Sequence, residues 1–237
     1  MATSPTNQGV RIGVMMDNVQ LVDIMGIDII GNLSKKYLEY VLSDAPPEMA
    51  PMIPLFEGKG IDIEFFFLAP TLEPTVLTPG LTYVPNMTFD DCPRDLDIVL
   101  IGGPVLSHRP PQADKFMKEA WAKTRVWMTT CTGALWLASA GVLDGKKCTT
   151  NRGFLPTAKR IQPETEWVDQ RWVVDEKPYE GTDGKGELWT AGGAGAGLDM
   201  IAQYCLQNFD APLVSMTLQG VDMHPEGSRT QFYSPQA

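Results

Sequence analysis

Histidine and basic side chains are scarce in this sequence. Only two of its 237 residues are histidines, His108 and His224, so a histidine-based zinc site has almost no ligands to draw on. The 29 Asp and Glu residues outnumber the 19 Lys and Arg residues, which gives a formal charge of −10. A nucleic acid held through its phosphates needs the opposite balance. We therefore expect no metal ion and no nucleic-acid partner.

Long apolar runs and closely spaced cysteines are also missing. No run of about 18 apolar residues occurs, so we expect no membrane span. The four cysteines form no Cys-x-x-Cys pair, and their low density disfavours a disulfide framework. Residues 1–9, MATSPTNQG, lack the basic and apolar segments of a secretory signal and are expected to form a disordered tail. These observations favour four reduced cysteines in a cytoplasmic protein.

Apolar strands alternate with amphipathic helices along the remaining chain. This pattern predicts a single-domain α/β fold with a doubly wound, mostly parallel sheet, a flavodoxin-like sandwich, over residues 10–209. Residues 170–175 and 187–191 suggest a small β-hairpin, and residues 210–237 an irregular C-terminal extension. The main strands are expected at 10–16, 61–69, 97–103 and 125–130, and the main helices at 24–42, 112–123, 154–161 and 194–209.

A cysteine stands where the strand VWMTT changes abruptly into the helix GALWLA. Cys131 would then lie at the carboxyl edge of the sheet, where α/β proteins place ligands. The N–H groups of the following helix favour a thiolate, and Gly133 permits a tight turn, as in the nucleophile elbow of α/β hydrolases. We expect the pKa of Cys131 to fall below the usual thiol range. The alternative is that Cys131 is a small buried hydrophobic residue.

The residues around this cysteine resemble the ThiJ/PfpI superfamily, within the class I glutamine amidotransferase-like fold. The segment CTGALWLASAGVLDG is similar to the Cys-Thr-Gly elbow of its isocyanide hydratase branch. Three other segments are similar to the same branch, and the likeness extends over residues 10–209. They are QLVDIMG at 20–26, DCPRDLDIVLIGG at 91–103 and LWTAGGAGAGLD at 188–199.

The resemblance implies partners for the cysteine. It identifies Asp23 as the carboxylate that contacts the sulfur and transfers protons. The alternative is that Asp23 only caps the N-terminus of the first helix. The backbone N–H groups of Gly103, in the pair Gly102-Gly103, and of Thr132 would form an oxyanion-type hole. The Thr132 hydroxyl is a further candidate for binding substrate. Asp17, expected to be solvated, and Asp28 are rival proton carriers.

Other candidate residues would line the pocket or complete a different site. Many relatives have histidine after Thr149-Thr150, but this chain has Asn151, which hydrogen-bonds without shuttling protons. Trp136 and His108 are expected beside the substrate. The segment GVDMHPE imitates the amidotransferase triad, with His224 and Glu226 joining Cys131. Thr129 and Leu135 replace the glycine and glutamine that such enzymes also require, which makes this triad the less favoured alternative.

The resemblance implies a cysteine-dependent lyase that hydrates a small-molecule isocyanide to an N-substituted formamide, without a metal or organic cofactor. Two alternatives stay open. One is a glyoxalase- or deglycase-type enzyme acting on small 2-oxoaldehydes, and the other is a redox sensor in which Cys131 forms a sulfinate. The superfamily also implies a homodimer, for which apolar residues of the first helix are candidates.

Overall fold

A computed structural model describes residues 9–223 and 229–233, apart from the side chains of Met49 and Met52. Its main sheet has seven strands in the order β10-β11-β7-β6-β1-β2-β5, and β3 with β4 and β8 with β9 form two small sheets. The strands are β1 Val10–Met15, β2 Ile63–Ala69, β3 Thr75–Val76, β4 Thr82–Tyr83, β5 Met87–Thr88, β6 Ile98–Ile101, β7 Val126–Thr130, β8 Lys147–Cys148, β9 Glu166–Trp167, β10 Trp172–Pro178 and β11 Lys185–Ala191.

The main sheet is parallel except at one edge. The central strands β1, β6 and β7 pair in parallel with their neighbours, and only the β10–β11 hairpin is antiparallel. Strands β6 and β7 are buried along their whole length, because helices cover both faces of the sheet. The predicted single-domain, doubly wound fold and its hairpin are therefore confirmed.

Nine α-helices and two short 3₁₀ segments occur among the described residues. Side chains of α1 to α3, α8 and α9 pack on one face of the sheet, and those of α5 to α7 on the other. Within this part of the chain, no helix is long and apolar enough to cross a membrane. The helices are α1 Leu21–Ile24, α2 Gly26–Gly31, α3 Lys35–Ser43, α4 Ile53–Phe56, α5 Pro111–Ala120, α6 Gly133–Ser139, α7 Leu155–Ile161, α8 Ala194–Asn208 and α9 Ala211–Gly220.

The first predicted helix, residues 24–42, is divided among three helices. Ser34 is extended, with a ψ of 147°, and its side chain caps α3 by accepting from the Tyr37 N–H. The same residue forms a bridge with Ile61. The prediction of one continuous helix is wrong because hydrogen bonds to a distant segment stop it at Ser34.

The predicted irregular extension, residues 210–237, is wrong over its first part. Asp210 caps α9 by accepting from the Leu213 N–H, and Pro212 lies in the first turn. Leu213, Val214 and Leu218 are buried in the core cluster that includes α8. Asp210 and Pro212 were a readable helix-start signal. The predicted tail at residues 1–9 falls, except for Gly9, outside the described residues.

Candidate active site

Cys131 occupies a sharp turn between β7 and α6. Its φ of 57° lies in the left-handed region, which is unusual for a residue other than glycine and recurs at functional sites. Three hydrogen bonds hold this backbone: Cys131 N–H donates to the Ala191 carbonyl at 2.9 Å, while its own carbonyl accepts from Thr150 Oγ1 at 2.8 Å and from the Asn151 N–H at 3.2 Å. The cysteine is therefore fixed at the carboxyl edge of the sheet.

Gly133 makes this turn possible. A Cβ atom added there would lie 2.6 Å from the carbonyl oxygens of Ile101 and Gly102, closer than van der Waals contact allows. The absence of a side chain lets α6 begin directly against the end of β6. The sequence prediction of a tight strand-to-helix turn thus has a direct steric cause.

Asp23 lies in α1 and is buried, with 3% of its surface exposed. The Gly103 N–H donates to Asp23 Oδ2 at 3.1 Å. A Cβ added to Gly103 would lie 2.3 Å from that oxygen and 3.1 Å from Cys131 Sγ, so only glycine fits between the two side chains. Residue Gln20, not Asp23, is the N-cap of α1. The alternative reading of Asp23 as a helix cap is therefore wrong.

The carboxyl of Asp23 and the thiol of Cys131 flank Gly103, close enough for each to act on the ionisation of the other, and burial acts on both. Burial raises the pKa of Asp23, although the Gly103 N–H and the contact with Cys131 oppose this. Burial and then the nearby Asp23 charge raise the pKa of Cys131, against hydrogen bonds from Asn151 and the Thr132 N–H. The expected low thiol pKa is wrong, because burial and the neighbouring Asp23 charge raise the pKa of Cys131. The structure therefore places a carboxyl and a thiol beside each other in one buried space.

The predicted oxyanion donors surround this pair. Gly103 N–H is engaged by Asp23, and Thr132 N–H contacts the Cys131 sulfur. Gly102 is buried beside them, and a Cβ there would lie 3.4 Å from the Asp23 Cβ. The Thr132 hydroxyl donates to the Pro104 carbonyl at 3.2 Å, so it serves the protein backbone. Gly103, Thr132 and Asp23 thus lie beside the sulfur, and Gly102 lies next to Asp23.

Asn151 also reaches the sulfur. Its amide Nδ2 lies 3.5 Å from Cys131 Sγ, and its Oδ1 accepts from the Gly153 N–H, which fixes the side chain. Thr150, which sequence reasoning did not single out as a functional residue, holds the cysteine carbonyl. The amide can stabilise a negative sulfur but cannot carry a proton away from it.

The structure separates Trp136 from the substrate position predicted for it. Trp136 is 2% exposed and lies in the core cluster with side chains of α5 and α7, because α6 is buried on all sides from Gly133 to Ala138. The expectation that Trp136 lines the pocket is therefore wrong. Residues 224–228, with His224 and Glu226 of the alternative triad, lie outside the described residues.

The rival aspartates occupy different environments. Asp28 is exposed on α2, but Asp17, which was expected to be solvated, is only 4% exposed. Asp17 Oδ2 lies 2.6 Å from Nε2 of His108, whose side chain is 47% exposed. Within the described residues, no group of three His, Cys, Asp or Glu side chains is placed to hold a metal ion.

Cys131 is expected to be the first thiol to react with iodoacetamide. It is partly exposed, whereas Cys92, Cys148 and Cys205 are buried. Burial raises the pKa of Cys92 to about 12 and raises those of Cys148 and Cys205 further. The labelling rate should increase with pH, since the pKa of Cys131 is also raised. Peptide mass spectrometry after brief labelling checks this, and earlier labelling of any other cysteine would contradict it.

Comparison with known proteins places this chain in a family. The model of the DJ-1/PfpI family matches residues 48–204. An isonitrile hydratase of Pseudomonas putida is 30% identical over 187 residues, 74% of each chain. A ThiJ/PfpI family protein from Pseudomonas syringae has a similar structure, with a TM-score of 0.68 and 19% identity over 97% of this chain and 80% of that chain. DJ-1 of Schizosaccharomyces pombe also has a similar structure, with a TM-score of 0.60 and 14% identity over 90% of this chain and 99% of that chain. This chain belongs to the DJ-1/PfpI family.

Proposed function

We propose that Cys131 and Asp23 catalyse the addition of water to an isocyanide, R–N≡C, to give an N-substituted formamide. The observation that carries the proposal is the buried contact between the Asp23 carboxyl and the Cys131 thiol around Gly103. Such a pair joins a nucleophile to a proton carrier in one small space. The similarity to an isonitrile hydratase, another name for an isocyanide hydratase, supports the substrate class.

The first half of the proposed reaction uses the shared proton. Cys131 Sγ forms a bond to the terminal carbon of the isocyanide, and the proton of the Asp23–Cys131 pair moves to that carbon. The product is a thioformimidate, R–N=CH–S–Cys131, beside an ionised Asp23. The raised pKa of Asp23 suits a group that donates a proton near neutral pH.

The second half returns the protein to its starting state. Water adds its hydroxyl to the same carbon, and its proton passes through Asp23 to the nitrogen. The C–S bond then breaks, the sulfur leaves as a thiolate, and the hydroxyl proton returns to Asp23. The released molecule is R–NH–CHO, so the net change is the addition of one water. The N–H of Thr132 and the amide of Asn151 would stabilise the leaving sulfur.

Turnover of an aliphatic isocyanide, an aromatic isocyanide and methylglyoxal tests the proposal. We expect formamide from at least one isocyanide, measured by mass spectrometry, and little lactate from methylglyoxal. The reason is that Asn151 occupies the position beside the sulfur where a proton-shuttling side chain would serve the glyoxalase reaction. Lactate without formamide would contradict the proposal and favour the 2-oxoaldehyde alternative.

We infer that the active protein is a homodimer that uses the exposed side of α1. Val22 and Met25 are 42% and 37% exposed and line an apolar cleft of about 480 Å³ with Leu21, Thr78 and Pro79. Val22→Glu should therefore weaken the dimer, because it places a charge in the interface. Light scattering of the wild type and the variant measures this. Glu39→Gln on α3 is the control, and an unchanged mass for Val22→Glu would contradict the inferred interface.

A further inference from the structure

A second polar cluster lies at the same edge of the sheet. Asp17 follows β1 and is 4% exposed, yet its ion-pair partner is a histidine rather than a lysine or arginine. Its carboxylate contacts His108 Nε2 at 2.6 Å and accepts from Thr75 Oγ1 and Asn18 Nδ2, each at 3.3 Å. We name Asp17, Thr75, Tyr83 and His108 the Asp17 cluster. The reaction scheme above uses none of these residues.

Tyr83 leaves this cluster incomplete. Its hydroxyl is buried and has no hydrogen-bond partner among the described residues. Thr75 and Tyr83 are paired across the β3–β4 hairpin, so both side chains lie on one face of it; Thr75 bonds to Asp17, and the Asp17 charge acts on Tyr83. Burial and the Asp17 charge raise the pKa of Tyr83, which keeps its hydroxyl protonated. An unpartnered buried hydroxyl is costly to leave unsatisfied, and it indicates that a polar group is missing from this cluster.

The polypeptide connects the cluster to the nucleophile. The residues after β1 run antiparallel to the segment after β6, and Val19 forms a bridge with Pro104. The Gln20 N–H donates to the Gly103 carbonyl, and the Val105 N–H donates to the Asn18 carbonyl. Asp17 therefore faces the position three residues beyond Gly103, which is about 10 Å away at about 3.3 Å per residue. A substrate bonded to Cys131 through one end spans such a distance.

The chemistry of the cluster selects the group that it would bind. The buried charge of Asp17 repels an anion. Asn18, Thr75 and His108 already contact its carboxylate oxygens, so few oxygen lone pairs remain to bind a cation. His108 Nε2 faces Asp17, and its side chain remains about half exposed. Its other ring nitrogen can exchange a hydrogen bond with a neutral hydroxyl in either protonation state. The same hydroxyl can accept from Tyr83.

We propose that the Asp17 cluster is a subsite for a neutral hydroxyl group on the nitrogen substituent of the isocyanide. This inference rests on the proposed function and adds the substrate class to it. His108 and Tyr83 would contact the hydroxyl, and Asp17 would be a positioning residue that holds the imidazole. Substrates with a hydroxyl at this distance from the isocyanide would then be preferred over apolar ones of equal size.

Two isocyanides of the same size test the proposal. One is 4-(2-hydroxyethyl)phenyl isocyanide, and the other is 4-propylphenyl isocyanide, in which a methyl group replaces the hydroxyl. We expect the wild-type kcat/KM to favour the hydroxyl compound by on the order of 10- to 100-fold, since each neutral hydrogen bond contributes about 2- to 12-fold. His108→Phe and Tyr83→Phe should each lower this ratio by about 2- to 12-fold, since each removes one of the two hydrogen bonds.

The propyl compound provides the internal control. Its kcat/KM should fall by less than that of the hydroxyl compound in both variants, because it makes neither hydrogen bond. Arg109→Gln, in the same loop but paired with Asp114 at 3.1 Å, should retain the full preference. A ratio near 1 in the wild type, or one unchanged in His108→Phe, would overturn the subsite alone. Failure of the wild type to hydrate either isocyanide would overturn the proposed function and this inference together.

Discussion

Cys131→Ala is expected to lower isocyanide turnover by on the order of 10⁶-fold, the scale seen when other enzymes lose a covalent nucleophile. The sulfur forms the bond to the isocyanide carbon in the proposed reaction, and no neighbouring group can replace it. Asn151 is an amide, and the Thr132 hydroxyl is committed to the Pro104 carbonyl. Steady-state assays with an aromatic isocyanide measure the loss.

The fold should survive this substitution. Cys131 is only partly buried, and alanine is no worse than cysteine at its φ of 57°. We expect the free energy of unfolding to change by about 1 kcal/mol, measured by chemical denaturation. Cys205→Ala is the contrasting control, because that fully buried thiol in α8 contributes to packing and not to chemistry. It should lose stability and keep turnover. Near wild-type turnover in Cys131→Ala would refute covalent catalysis.

Asp23→Asn should lower kcat by about 100- to 10,000-fold, the usual contribution of general acid–base catalysis. Asparagine keeps the shape and can still accept from the Gly103 N–H, but it carries no transferable proton. Because the Asp23 charge raises the pKa of Cys131, its removal should lower that pKa and accelerate alkylation of the thiol. Slower catalysis with faster alkylation distinguishes a proton carrier from a residue that merely supports the fold.

Stability gives a second readout for the same variant. Burial raises the Asp23 pKa above that in the unfolded chain, so the protonated form is favoured by folding. Protonated Asp23 therefore stabilises the fold fully at pH values below the pKa of aspartate in the unfolded chain, about 3.9. This stabilisation is lost as the pH rises through the pKa of Asp23 in the folded protein. Asp23→Asn lacks this dependence and should be at least as stable as wild type at pH 7.

Thermal unfolding at several pH values tests this expectation. Asp28→Asn, an exposed aspartate on the next helix, is the matched control and should change neither turnover nor stability. Full turnover by Asp23→Asn on every isocyanide would show that the proton comes from another group.

The sequence alone was sufficient for six strands of the main sheet, all but the short edge strand β5, and for the position of the proposed nucleophile. Strands such as β6 and β7 are buried on both faces, so their apolar runs are continuous and legible. Cys131 could be located because a strand, a cysteine, a glycine and a helix follow one another within a few residues. These signals involve only neighbouring residues, so they can be recognised in a single sequence.

Features that depend on distant partners could not be read in this way. Asp17 is buried because residue 108, 91 positions away, closes over it, and Asp23 is held by Gly103, 80 positions away. The pKa of Cys131 is raised rather than lowered because folding brings burial and the Asp23 charge to the sulfur. Trp136 is a core residue because α6 is buried on all sides by the elements that pack around it. Desolvation and charge proximity arise only from packing, so the tertiary structure alone decided the electrostatics of this site.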